Sequence, residues 1–188
     1  MKKLIPIIAA FAALTGLTVT TGCTDDDETT WNKYADWREA NNEWLDEMKQ
    51  RTNPDGTPYY RMVIPNWNPA TYVLMHYFND PAENADKLSP LYNSTIDVRY
   101  ELHLYDGTPV DSSTNVTAYG AKGIFRTRLN EVVSGWNIAL SQMHCGDTVE
   151  VILPYDVAYG TQNMGAILPY SNLRFNIRLV DIPLYELK

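Results

Sequence analysis

The stretch Glu131–Gly160, EVVSGWNIALSQMHCGDTVEVILPYDVAYG, constrains the chain more than any other. Its apolar period changes from helical to extended in a few residues. Trp136, Leu140 and Met143 recur at i, i+4 and i+7 with Ala139 between, so they share one face of a short helix. Ser134 is placed to cap its start and Gly146 to end it. Val149, Val151 and Leu153 then alternate with Thr148 and Glu150, the period of a half-buried strand. Pro154 stops that strand, and Tyr155 and Tyr159 fall on the loop beyond. A tryptophan at a helix start facing an aromatic loop is either plain core or part of a site. The flanking segments decide between the two.

Two of these segments alternate strictly. In Ile96–Leu104, residues Ile96, Val98, Tyr100, Leu102 and Leu104 point one way, and Asp97, Arg99, Glu101 and His103 the other. In the last strand Leu173, Phe175, Ile177 and Leu179 face inward against Arg174, Asn176 and Arg178. Asp106-Gly107 marks a turn before Val110–Ser113, and Asn115–Lys122 reads as a flexible stretch. The expectation is an α+β fold: an antiparallel sheet wrapped around a short helix, with aromatics facing inward and Trp136 buried.

The amino terminus reads as a targeting segment. Met1-Lys2-Lys3 is basic, and Leu4–Val19 is uncharged and has the length of a signal-peptide core rather than a spanning helix. Thr20-Thr21-Gly22-Cys23 resembles a bacterial lipobox, with Thr20 where Leu is usual; lipidation is expected at Cys23. Residues 1–22 are then a lipoprotein-type signal peptide, the alternatives being an ordinary cleaved signal or an uncleaved anchor. Residues 23–30, containing TDDDETT, are an acidic tether, either a bland linker or a surface-export signal. Cys145 is left as a lone, buried thiol. Without Lys2 and Lys3 the chain has 13 basic against 23 acidic residues, or −10, with no basic cluster. That balance argues against nucleic acid and against an anionic membrane surface as partners. The expected location is the cell envelope, lipid-anchored to the outer membrane and facing the periplasm or the surface.

Residues 31–90 are expected to form an extension of helix and strands. Trp31, Tyr34, Trp37, Trp44, Leu45 and Met48 fall mostly at three- and four-residue spacings over Trp31–Gln50, the pattern of an amphipathic helix. It either packs on the chain's own domain or makes a homodimer seam. Tyr59–Ile64 and Tyr72–Phe78 are β-prone. Pro81–Pro90 is loop-like, and the main domain is placed at 91–188. His76, within an apolar strand, is expected to be a satisfied core histidine. His76, His103 and His144 lack metal-ligand spacing, there is no phosphate-binding glycine motif, and no partner activates Cys145. No cofactor or metal is implied.

Four motifs, in this order and near this spacing, resemble the FKBP-type peptidyl-prolyl cis-trans isomerases: YELHLYDGTPVDSS at Tyr100–Ser113, EVVSGWNIALSQMHCGD at Glu131–Asp147, PYDVAYG at Pro154–Gly160 and ILPYSNLRFNIRL at Ile167–Leu179. The resemblance covers roughly residues 94–183. Position by position, it implies that Trp136 is the floor under a proline ring and that Tyr100, Val132, Val133, Ile167 and Phe175 are walls. It implies that Tyr159 and the Val133 N–H donate to ligand carbonyls, and that Asp111 is a buried carboxylate beside the pocket. Val110 stands where the family usually has Phe, and the aromatic expected before the central segment falls near Gly123. A wider, less aromatic pocket follows. The implied function is isomerisation of X-Pro bonds in exported proteins. The alternative is a peptide-binding or chaperone module with little turnover.

Overall fold

A computed structural model describes residues 30–118 and 120–183. The leader, Cys23 and most of the tether lie outside them. In chain order the elements are helix α1 (Ala35–Gln50), strands β1 (Arg61–Val63), β2 (Val73–Tyr77), β3 (Thr95–Leu104), β4 (Pro109–Ser112), β5 (Thr117–Ala118), β6 (Ala121–Lys122) and β7 (Phe125–Arg128), helix α2 (Ser134–Leu140), and strands β8 (Thr148–Leu153) and β9 (Leu173–Asp181). No helix among the described residues is long and apolar enough to cross a membrane.

β3 is the axis. β9 runs antiparallel beside almost its whole length, with Leu102 opposite Phe175 and Tyr100 opposite Ile177. Its other edge is shared: β7 pairs with its first half and β4 with its second. Beyond β9 the order continues β8, β2, β1, giving a seven-stranded antiparallel sheet. The inward residues read from the alternation of β3 and β9 are all buried. α2 lies against this face, with Trp136, Ala139 and Leu140 fully enclosed in the core. The fold is the expected one.

Several local expectations are corrected. Ser134 is the first residue of α2 rather than its cap; Val133 holds the cap position without a side-chain bond, and Ser134 Oγ donates to the Val157 carbonyl at 3.3 Å. Gly146 does not end the helix, which stops at Leu140. It turns the chain into β8 at φ 102°, where a Cβ would meet Asn84 Oδ1 at 2.9 Å. Asp97 does not face solvent, because β7 covers that end of β3 and Arg126 grips both carboxylate oxygens at 2.5 and 2.6 Å. Asn115–Lys122 is not a loose stretch: a 3-10 turn at Ser113–Asn115 leads into the β5–β6 hairpin. Cys145 is half-buried, its thiol pushed up by burial and then by the negative charge of Asp181.

The extension packs on the chain itself. β2 joins the sheet through β8, with Leu74 opposite Ile152 and Met75 opposite Val151. α1 contributes Leu45 to a second apolar cluster with Tyr60, Leu74 and Ile152, flanked by Trp44 and Met48. Trp37 Nε1 donates to Ser171 Oγ at 3.1 Å and its ring meets Tyr105 edge-on. Buried Asn41 accepts from the Asn172 N–H through Oδ1, and its carbonyl accepts from Asn172 Nδ2. His76 is satisfied but half-exposed: Nδ1 lies 2.8 Å from the Tyr59 carbonyl, and its ring stacks on Tyr59. The loop-like segment after β2 is tied down by fully buried Asp147, which accepts from Asn79 and Asn84 side chains and from the His144 N–H.

Candidate active site

The inner face of the sheet and α2 bring four aromatic rings together. Trp136, at the third position of α2, is fully buried. Tyr100 on β3 meets it edge-on at 5.5 Å between centroids, and Phe175 on β9 does the same at 5.4 Å. Edge-to-face contacts place the positive rim of one ring against the negative face of another, which fixes the rings as well as burying them. Gly135 makes the close approach of α2 possible: a Cβ there would lie 2.4 Å from Leu153 Cδ2.

The fourth ring was not foreseen. Phe125, on β7, is buried and meets Tyr100 edge-on at 5.7 Å. It lies two residues beyond Gly123, where an aromatic was expected, and the β3–β7 register, with Val98 opposite Phe125, delivers it. The cluster therefore keeps more aromatic character than Val110 and Gly123 alone indicate. Val110 itself, on β4, is half-buried and packs against the core.

A partly exposed rim follows. Val132, Val133, Tyr159 and Met164, the last a residue the motifs did not single out, are half-buried and pack against the wider apolar core that contains the rings, and Tyr159 feels the charge of Asp111. Ile167 is fully buried and bridges to Met164. The Val133 carbonyl accepts from the Trp136 N–H at 3.0 Å. Trp136, Phe175 and Ile167 have no exposure, so access to the floor runs through the rim.

Two groups carry the polarity. The Tyr100 hydroxyl donates to Asp111 Oδ2 at 2.7 Å, while Asp111 Oδ1 accepts the Ser112 N–H at 2.8 Å. Asp111 is half-buried rather than enclosed. Burial, then the hydrogen bond and charge of Asp111, push the Tyr100 hydroxyl far above its ordinary value. Burial first and the charge of Asp111 second push Tyr159 up to about 12. Both hydroxyls hold their protons at neutral pH, and that of Tyr100 is donated to Asp111. The indole Nε1–H of Trp136 is buried and finds no acceptor among the described residues. An unmet buried donor is costly, and such groups gather where a ligand or water completes them. The arrangement offers an apolar aromatic seat with a few fixed donors. Among the described residues no three His, Cys, Asp or Glu side chains gather as a metal site.

Known proteins resemble this chain over the same region. A sequence profile for FKBP-type peptidyl-prolyl cis-trans isomerase matches residues 87–180. A macrophage infectivity potentiator of Trypanosoma cruzi is 40% identical over 106 residues, 56% of this chain and 52% of its own length. An outer membrane protein MIP of Legionella longbeachae is 36% identical over 94 residues, 50% of this chain and 38% of its own. The chain thus spans about half or less of these relatives. The crystal structure of FkpA from Escherichia coli has the same fold, with a TM-score of 0.63 at 20% identity over 82% of this chain and 63% of that one. A peptidyl-prolyl cis-trans isomerase structure from Pseudomonas syringae pv. tomato covers 85% of this chain and 98% of its own, with a TM-score of 0.56 and 24% identity. The matched profile, spanning half the chain and all four motifs, places this protein in the FKBP-type peptidyl-prolyl cis-trans isomerase family.

Proposed function

We propose that the chain is a peptidyl-prolyl cis-trans isomerase acting on proline-containing segments of exported proteins. The observation that carries this reading is the seat itself: Trp136 gripped edge-on by Tyr100 and Phe175, beneath a rim that includes Tyr159. Amide rotation faces a barrier of ~18–20 kcal/mol because resonance gives the C–N bond double-bond character. The planar amide is more polar than the twisted transition state. A dry aromatic surround therefore disfavours the ground state more than the transition state. No nucleophile or proton transfer is needed. The proline ring enters past the rim side chains and settles toward Trp136, walled by Val132, Val133, Ile167, Phe175 and Val110. The Tyr159 hydroxyl and the Val133 N–H hold the flanking carbonyls. Asp111 keeps the Tyr100 ring fixed and adds a negative field beside the seat.

The test is cis/trans exchange of an X-Pro peptide measured by NMR with the full chain. Acceleration is expected, with Trp136→Leu abolishing it and Tyr159→Phe reducing it severalfold. Unchanged turnover in both variants sinks this assignment of the seat. Binding without acceleration marks a peptide-binding or chaperone module instead. That second reading is favoured by Val110 and by the complete burial of Trp136.

The envelope reading rests on the leader, on Cys23, and on the outer-membrane relative. Lipidation at Cys23 predicts that Cys23→Ser releases the protein from membranes. A homodimer through Trp31–Gln50 would have to use the outer side of α1, since Trp37 and Asn41 are engaged with Ser171 and Asn172 just before β9 and Leu45 with Leu74 and Ile152. Sedimentation decides it.

A further inference from the structure

A second concave surface begins where the proposed proline seat ends. It is a groove of about 720 Å³ between the outer side of α2 and two connections, one joining β1 to β2 and the other preceding β3. Trp67 enters it from the β1–β2 connection, and Leu91 and Tyr92 from the segment before β3. Leu129 and Val132 form part of its wall, and Val132 also packs against the main apolar core that contains the four rings. No charged side chain lines it.

Three features of this groove point to a ligand. Trp67, Leu91 and Tyr92 are 69%, 61% and 69% exposed, a concentration of large apolar side chains that isolated surface hydrophobics do not make. Asn137, which lines the groove one residue after Trp136, has a buried Oδ1 with no donor among the described residues. The volume lies in the range of ligand-binding clefts and suits a few side chains.

We infer that this groove holds the stretch of an unfolded client polypeptide flanking the proline, selecting apolar and aromatic residues a few positions away from it. The inference rests on the reading of the proline seat, which supplies the continuity: Val132 is shared, and Trp136 and Asn137 are neighbours on α2. An extended segment leaving the seat passes over Val132 into the groove, where Trp67 and Leu91 close on its side chains and Asn137 Oδ1 accepts a backbone N–H. Trp67 alone of the lining residues lies outside the 87–180 family match, so the extension adds one wall to a groove otherwise built by the matched region.

The experiment compares two peptides with the same X-Pro bond, one flanked within four residues by Phe and Leu, the other by Ser and Gly. The apolar peptide is expected to show about tenfold higher kcat/KM, mainly through KM. The double variant Trp67→Ala, Leu91→Ser removes exposed side chains only. It is expected to erase this preference while keeping the rate on the polar peptide. An equal preference in the variant, or none in the native chain, overturns the inference. A proline-free Phe/Leu peptide separates it from the isomerase reading. Shifts at the Trp67 indole and Asn137 amide resonances support the groove even if no peptide is turned over; their absence overturns it. A sedimenting dimer that the double variant dissolves would assign the groove to a second copy and also overturn it.

Discussion

Trp37 and Trp136 sit in the same molecule under opposite rules. Trp37, on α1, is half-buried, and its indole N–H is answered by Ser171. Trp136, on α2, is fully buried, and its indole N–H has no acceptor among the described residues. Around Trp37 the polar groups close on one another: Asn172 donates twice to Asn41, from its N–H and from Nδ2, and Asn172 Oδ1 accepts the Tyr155 N–H at 2.9 Å. Around Trp136 the rings pack tightly but the polar account stays open. Buried polar groups are nearly always paired, so the open donor sets the Trp136 region apart from the Trp37 region.

The sharpest way to break this comparison is Gly135→Ala. Its Cβ would press on fully buried Leu153 at 2.4 Å and on the Val157 carbonyl at 3.0 Å, so α2 must move off the sheet. A loss of about 2–3 kcal/mol in denaturant unfolding is expected, with X-Pro exchange at the proposed seat slowing as well. Full activity in the variant means the placement of Trp136 does not matter. Next, Asn172→Ala strands the Tyr155 N–H and the Asn41 carbonyl. It should cost about 2 kcal/mol while leaving turnover by the folded fraction intact. Trp37→Phe keeps most of the ring and removes only the bond to Ser171, for about 1 kcal/mol by the same measurement. A larger cost in Trp37→Phe than in Asn172→Ala would reverse the account of how the extension is held.

The smallest effect is alkaline. Tyr100 and Tyr159 hold their protons more tightly in the fold than in the unfolded chain, whose tyrosines titrate near 10. Their stabilising contribution is therefore complete below about pH 10. It is lost as pH rises toward about 12, where Tyr159 ionises. Stability followed from pH 9 to 12 should fall, and Tyr159→Phe should make that fall shallower. A fall of equal slope in Tyr159→Phe assigns it to other groups, such as Tyr60, which burial also raises.

The sheet was legible wherever a strand buries one face. The alternation of β3 and β9 reports the side-chain period directly, and their inward residues are the core. Partners were not legible, because pairing is decided by contacts distant in sequence. Nothing in Tyr72–Phe78 announces that β2 lies beside β8, and nothing at Asp97 announces that Arg126 arrives from β7. The convergence of the motif residues is what the structure shows: Tyr100, Trp136 and Phe175 meet as rings, and Asp111 meets Tyr100. Phe125 was missed because it stands two residues beyond Gly123, where the aromatic was expected, while the β3–β7 register brings it to the cluster. The end of α2 was misjudged at Gly146, since a glycine with positive φ serves a turn into a strand as well as a helix terminus.

The pairing of β2 with β8 also bears on synthesis. A chain made from its amino end presents α1, β1 and β2 first. Tyr77 must wait for Val149, 72 residues later, and Leu45 must wait for Ile152. During that interval the nascent extension carries two unmatched strand edges and the apolar face of α1, the kind of surface that draws chains into aggregates. The last-made third of the molecule therefore shelters the first, and a ribosome pause before β8 is the moment of greatest risk.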